Sequence, residues 1–128
     1  MSGLVIEPVR RGLLIRAALS VLAEAGSPLK RAEVMRRVEQ SLELAPYELA
    51  PYREGSDEPR WENHLAWSST DMRAAGWIDK TPAGWLITEA GRAALVEHPE
   101  DGAGLEAEAG QAYRASLLAR RGEGSHEP

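Results

Sequence analysis

Side chains that could contact a ligand recur at helical spacing near the middle of the chain: Asn63, Trp67 and Thr70, with His64 beside them. Residues three or four positions apart lie on the same side of an α-helix. An asparagine amide can form paired hydrogen bonds with the edge of adenine. The spacing therefore predicts a helical face suited to recognition. Two interpretations of Trp67 stay open: segment 43–60 covers the indole, or the indole faces a ligand.

Catalytic side chains occur on the same helix, but they do not form a catalytic site. His64, Ser68 and Asp71 lie at i, i+4 and i+7, and a triad confined to one helix has no evident oxyanion site. Neither Lys30 nor Lys80 has an acidic residue two positions before it, as one common type of metal-dependent nuclease requires. The chain has no cysteine and no Gly-Lys-Ser/Thr sequence, and its three histidines are scattered. We predict no enzymatic activity, no cofactor and no metal site.

Glycine and proline residues divide the chain into the helical patterns that must position this face. Apolar residues at helical spacing predict helices over residues 8–25, 30–42, 60–75 and 88–98. Gly26 and Gly76 follow the first and third of these helices as helix stops. Segment 43–60 contains three prolines and a glycine among acidic residues, which predicts an ordered surface loop with one helical turn at 46–49.

Two short strands follow the third long helix. Residues 77–80 and 85–88 have β-forming side chains and flank a Thr-Pro-Ala-Gly turn at 81–84. A hairpin this short is not stable alone, so it must lie on the helices. Three tryptophans are expected to pack in the core or the hairpin: Trp61, Trp77 and Trp85.

Three long helices followed by a hairpin is the element order of a winged helix-turn-helix, in which the hairpin is the wing. The predicted class is α+β, mainly α, with three helices, a two-stranded wing and a C-terminal helical extension. We assign residues 1–97 to the winged-helix domain, 98–104 to a linker, and 105–128 to a helix and a disordered tail. In this fold the third helix offers its outer side to a DNA major groove while the wing meets the flanking backbone.

Charge is uneven along the chain, which has a net charge of −5. Residues 1–42 carry seven basic and four acidic side chains, 43–63 carry two and six, and 98–128 carry three and six. An acidic chain has only modest non-specific affinity for a polyanion. Because the sequence shows no signal segment and no apolar run long enough to span a membrane, we expect a cytoplasmic protein.

The third helix and the hairpin also carry a family resemblance. The sequences WENxxxW at 61–67, AGxI at 75–78 and GWxITxxG at 84–91 occur together, with Glu33-Val34 in the second helix. Over roughly residues 9–97 this combination resembles the N-terminal domain of Mrr-type restriction proteins. The resemblance implies a winged-helix module that binds DNA, often modified DNA, and that precedes a nuclease domain in that family. Two departures are the acidic loop and tail and the absence of a nuclease domain from these 128 residues.

We therefore expect a non-catalytic DNA-binding module of a restriction or defence protein, whose partner is double-stranded DNA, methylated or unmethylated. Groove contacts are expected from the outer side of the third long helix: Asn63, His64, Trp67 and Thr70. Phosphate contacts are expected from basic side chains: Arg36, Arg37, Arg60, Arg73 and Lys80. For the two arginines of the second helix, a solvated helix face is the alternative.

Two other functions stay open. A protein-interaction or oligomerisation module of the same fold would explain the acidic balance and an outward Trp67. In that case the amphipathic stretch 105–121 could pair with a second copy, giving a homodimer, or with a downstream effector domain. A transcription regulator would differ from a restriction module only in its context.

Overall fold

The computed structural model describes residues 7–98 and 102–125. These residues form six helices and two strands, in chain order: α1 Pro8–Ala25, α2 Arg31–Ser41, α3 Pro46–Leu49, α4 Arg60–Ala74, β1 Ile78–Thr81, β2 Gly84–Ile87, α5 Glu89–Glu97 and α6 Gly102–Ser125. The strands pair into one antiparallel sheet. The structure confirms the predicted class, a mainly helical α+β fold in which helices precede a two-stranded wing.

Helix α1 is at the centre of the core, because it packs against α2, α4, α5 and α6. Its large apolar side chains, among them Leu14, Leu19 and Leu22, are buried, and Ala18 lets neighbouring elements approach closely. Gly26 ends the helix in the left-handed conformation, at φ 65°, and its N–H donates to the carbonyl of Leu22 at 3.2 Å. The chain can therefore reverse directly into α2.

Helix α4 lies on the core through the apolar stripe that its sequence predicts. Trp61, Leu65 and Met72 are fully buried, and two small serines share the stripe. After the helix, Gly76 takes a left-handed conformation at φ 79°, and the N–H of Trp77 donates to the carbonyl of Met72 at 2.9 Å. This stop fixes the angle between α4 and the wing.

The wing is a tight hairpin that is fastened to the connection between α1 and α2. Thr81 pairs with Gly84 across a two-residue turn, and the hydroxyl of Thr81 donates to the carbonyl of Gly84 at 2.8 Å. Leu29 pairs with Trp85 through two backbone hydrogen bonds of 3.0 and 2.7 Å. A Cβ on Gly84 would lie 2.4 Å from the carbonyl carbon of Leu29, so the close approach requires glycine.

Thr88 joins the wing, α4 and α5. Its hydroxyl oxygen accepts from the N–H of Gly91 at 3.1 Å, which caps α5 as predicted, and the hydroxyl donates to the carbonyl of Gly76. Gly91 packs against the backbone of Trp77, where a Cβ would lie 2.3 Å from the carbonyl oxygen. Short local contacts thus fix the end of the hairpin.

The predicted surface loop between α2 and α4 is ordered, and we refer to residues 43–59 as the acidic segment. It contains the single helical turn predicted at 46–49, now α3. Pro51 forms an isolated bridge with Pro59, and the N–H of Tyr52 donates to the carbonyl of Glu58 at 3.1 Å. The segment is therefore a folded support at the start of α4.

Helix α6, the C-terminal helical extension expected from the sequence, is part of the core. It packs on both α1 and α4, and Leu105 and Ala109 are fully buried. The helix begins at Gly102 and continues to Ser125, so it is longer at both ends than predicted. Residues 99–101 of the predicted linker and 126–128 of the predicted tail lie outside the described residues. Among the described helices, none combines the length and apolarity needed to cross a membrane.

Candidate nucleic-acid interface

Trp67 projects from the outward side of α4, where its side chain is 71% exposed. The interpretation that the acidic segment covers this indole is therefore wrong. Asn63 and Thr70, on the same side of the helix, are half-buried. The helix thus presents one exposed aromatic ring between two partly covered polar side chains, which is the arrangement expected of a face that contacts a ligand.

The amide of Asn63 faces the acidic segment. Its Nδ2 donates to Oε2 of Glu58 at 3.4 Å. The neighbouring Glu62 lies among acids as well, and its pKa is raised because it is partly buried and because Glu58 and Glu39 carry like charge nearby. This edge of α4 is acidic, so the Asn63 amide can bind another partner only after it breaks its hydrogen bond with Glu58.

His64 lies on the side of α4 that faces α6. The side chain is half-buried, and its pKa is lowered to about 4 by desolvation and then by the charge of Arg11. The imidazole is therefore neutral near pH 7. Because its neutral imidazole is half-buried, His64 has less support for a groove contact than the exposed Trp67.

Arg36 and Arg37 share one carboxylate on α2. Arg36 Nε donates to Glu33 Oε1 at 3.0 Å and Arg37 Nε donates to Oε2 at 2.7 Å. The hydrogen bonds from Arg36 and then Arg37 lower the pKa of Glu33 to about 2. The three side chains together carry one net positive charge, which is less than the two charges the sequence suggested for phosphate contact.

Arg60 holds the acidic segment in place. Its Nη1 donates to the carbonyl of Tyr47 at 2.7 Å and its Nη2 donates to the carbonyl of Pro51 at 3.3 Å. The guanidinium therefore already satisfies backbone acceptors of the segment. A phosphate contact by Arg60 would use only the donors that these two bonds leave free.

Basic charge gathers where the wing meets α4. Lys80 Nζ donates to Ser69 Oγ at 2.7 Å and lies 5.2 Å from the ring centre of Trp85. Burial, followed by the charges of Arg73 and Arg31, lowers the pKa of Lys80. Arg73 is exposed on α4. The structure thus brings together Arg73 and Lys80, which the sequence predicted separately. Arg31 also lies nearby, but its guanidinium is paired with Glu58 at 2.9 Å.

Two further groups of side chains were not predicted, because helical periodicity does not show how α6 packs on the rest of the chain. A pocket of about 240 Å³ between these helices includes Trp67, Asp71 and Tyr113. At the junction of α5 and α6, ligand atoms of Glu97, His98 and Glu108 lie within 4.8 Å of one another. In the second group, His98 Nε2 lies 3.3 Å from Glu108 Oε2. Exposed acidic side chains often cluster in this way without a metal.

Comparison with known proteins agrees with the resemblance seen in the sequence. No curated protein and no solved structure matches the chain. The family model described as the Mrr N-terminal domain matches residues 13–97, which is more than half of the 128 residues. The match runs from α1 through α4 and the wing to the end of α5. The chain therefore belongs to the Mrr N-terminal domain family.

Proposed function

We propose that this chain is the non-catalytic DNA-binding module of a restriction or defence protein, with α4 in the major groove and the hairpin as the wing. Membership of the Mrr N-terminal domain family supports a defence-associated module. The observation that carries the proposal is the 71% exposure of Trp67 on the outward side of α4, beside the basic junction with the wing. The proposal places the chain in the cytoplasm.

The groove contacts come from the outward side of α4. Trp67 supplies an aromatic surface for a base or a methyl group, while Thr70 and Asn63 supply hydrogen-bonding groups. Asn63 reads a base only after it releases Glu58, so its contribution depends on a competing acceptor 3.4 Å away. This competition favours discrimination between sequences over tight binding to all of them.

The phosphate contacts come mainly from Arg73 and Lys80. Arg73 is exposed, and Lys80 is held by Ser69 at the base of the wing, so both charges lie on the side of α4 where a flanking strand would pass. Arg36 and Arg37 are secondary because they share the carboxylate of Glu33, and Arg60 is secondary because it already donates two hydrogen bonds. Lys80, in contrast, donates within the described part of the chain only to a neutral hydroxyl. With few free cations, binding should depend only weakly on salt.

The test is a binding titration of the full chain against duplexes with and without methylated bases, at two salt concentrations. Trp67→Ala should weaken binding, whereas Val96→Ala, which truncates another exposed apolar side chain on α5, should not. Asn63→Ala should weaken binding to the preferred sequence far more than binding to random DNA. Replacing either Arg73 or Lys80 by a neutral residue should reduce the magnitude of the slope of log K against log salt concentration by about one. Absence of binding at low salt would overturn the proposal.

A protein-interaction module is the second candidate, and the acidic border of α4 favours it. Glu58 and Glu62 flank Asn63, and the chain as a whole has a net charge of −5. Leu118 on α6 is 66% exposed and lies in the stretch 105–121 that could pair between copies. Light scattering on the intact chain and on Leu118→Asp would reveal such a dimer. A monomer in both cases would exclude pairing through α6.

A further inference from the structure

The pocket between α4 and α6 combines aromatic and acidic walls. Trp67 and Tyr113 contribute the rings, and Asp71 and Glu106 contribute the carboxylates, around a volume of about 240 Å³. This is below the roughly 300–1,000 Å³ of sites that enclose small-molecule ligands. Its size suits the end of one side chain and is small for a nucleotide.

The pocket has a net negative charge. Arg11 Nη2 lies 3.6 Å from Glu106 Oε1, so these two charges offset each other. His64 is neutral near pH 7, because its pKa lies at about 4. Among the charged side chains that line the pocket, Asp71 is the one for which the described residues form no ion pair.

Asp71 has no partner of its own. Within the described part of the chain, no group donates a hydrogen bond to its carboxylate and no cation lies within ion-pair distance. Burial and then the like charge of Glu106 raise the pKa of Asp71, and the opposing charges of Arg114 and Arg11 do not reverse this. A cation in the pocket would therefore relieve an existing repulsion.

We propose that this pocket binds the cationic side chain of a lysine, methylated lysine or arginine on a basic segment of a protein partner. The cation would lie between the rings of Trp67 and Tyr113 and pair with Asp71. The inference does not rest on DNA binding, since the net negative charge of the pocket lining disfavours phosphate. Trp67 would thus contact two ligands of opposite charge: anionic DNA and a cationic side chain of a protein partner.

The experiment is an NMR titration of the labelled 128-residue chain with short capped Gly-Ser peptides that carry one central lysine, trimethyllysine, arginine or glutamine. The cationic peptides should shift the Trp67 indole signal in a saturable way, and the glutamine peptide should not. Asp71→Asn, which preserves shape, should weaken the affinity about fivefold or more. Asp79→Asn on the exposed wing is the matched control and should bind as the original chain does.

Three results would overturn the proposal: equal shifts with the glutamine peptide, unchanged affinity in Asp71→Asn, or no shift with any peptide. Cytidine, 5-methylcytidine and N6-methyladenosine serve as a further arm. If a nucleoside shifts the Trp67 signal and the cationic peptides do not, the pocket takes a base and the cation assignment is wrong. The dispersion of the amide spectrum of each variant shows that it is folded, so loss of binding is not confused with unfolding.

Discussion

Arg10 and Glu48 lie 38 residues apart in the chain and form a two-point ion pair between α1 and the acidic segment. Arg10 Nε and Nη2 donate to the two carboxylate oxygens at 2.9 and 2.7 Å, and the N–H of Ala45 adds a third bond at 2.8 Å. Burial alone would raise the pKa of Glu48, but these donors hold it below its usual value. The fully buried carboxylate of Glu48 thus joins the acidic segment, which precedes α4, to helix α1.

Loss of Arg10 should destabilise the chain more than loss of an exposed arginine. Arg10→Met leaves Glu48 buried without its cation, and we expect a fall of about 2–4 kcal/mol in the free energy of unfolding. Arg92→Met on α5 is the exposed control and should change it by less than about 0.5 kcal/mol. Urea unfolding followed by circular dichroism measures both. Adding Glu48→Leu to Arg10→Met should recover part of the loss, and failure to recover any would contradict this account.

Helix α6 should contribute to stability as part of the core. Leu105 is fully buried while Leu118, on the same helix, is 66% exposed. Leu105→Ala should cost about 2–5 kcal/mol, and Leu118→Ala should cost no more than about 0.5 kcal/mol. Thermal and urea unfolding of the two variants provides the comparison. Equal effects would show that α6 does not pack on α1 and α4 in solution.

The wing should be sensitive to a single methyl group at Gly84. This residue has φ 134°, and a Cβ there would lie 2.4 Å from the backbone of Leu29. Gly55 also has a positive φ, 83°, but a Cβ there would meet nothing within 4 Å. Gly55→Ala should therefore cost about 1–2 kcal/mol, and Gly84→Ala should cost clearly more. Hydrogen exchange at the amides of Leu29 and Trp85 should accelerate only in Gly84→Ala.

His64 should make stability depend on pH between about 6.5 and 4. Because its pKa in the folded chain is about 4, against an ordinary 6.5, the unfolded chain binds the proton more readily within this window. The stabilisation is complete above the window and falls as the pH drops through it. Because solvent screens the half-buried ring, we expect a fall of no more than about 2–3 kcal/mol. Asp71, whose pKa is raised, takes up a proton in the folded chain and opposes part of the fall.

Comparison of the original chain with His64→Gln isolates this contribution. The free energy of unfolding, measured at pH 7.5 and at pH 4.5, should decline less steeply in the variant. The acids that are paired in the folded chain, Glu33 and Glu48, are common to both proteins and cancel in the comparison. Parallel pH profiles would show that His64 is already solvated in the folded state.

The sequence predicted the elements whose signals are local. Gly26 and Gly76 end helices in the left-handed conformation, and Thr88 caps α5, because each of these roles depends only on neighbouring backbone groups. Burial of Trp61, Trp77 and Trp85 followed from their place in apolar patterns and is confirmed. Local stereochemistry was sufficient for these features.

The site was harder to predict because its side chains depend on partners far away in the chain. Helical spacing placed Asn63 and Trp67 on one side of α4, but it could not show that Glu58 holds the amide while the indole stays exposed. Nor could it show that Arg60 donates to the acidic segment. The position of Tyr113 beside Asp71 depends on how α6 packs, and periodicity reports only that a helix has an apolar side.

The packing of α6 determines the shortest segment that could be grafted into another protein as a folded domain. The family match ends at residue 97, yet Leu105 and Ala109 fill the same core as α1, and Arg10 precedes the start of the match at residue 13. A graft of residues 13–97 alone would carry an open apolar surface and a buried carboxylate without its cation into the recipient. A chimera designed to move this recognition face should therefore begin before α1 and include α6. The transferred domain then keeps its apolar core covered and Glu48 paired with Arg10.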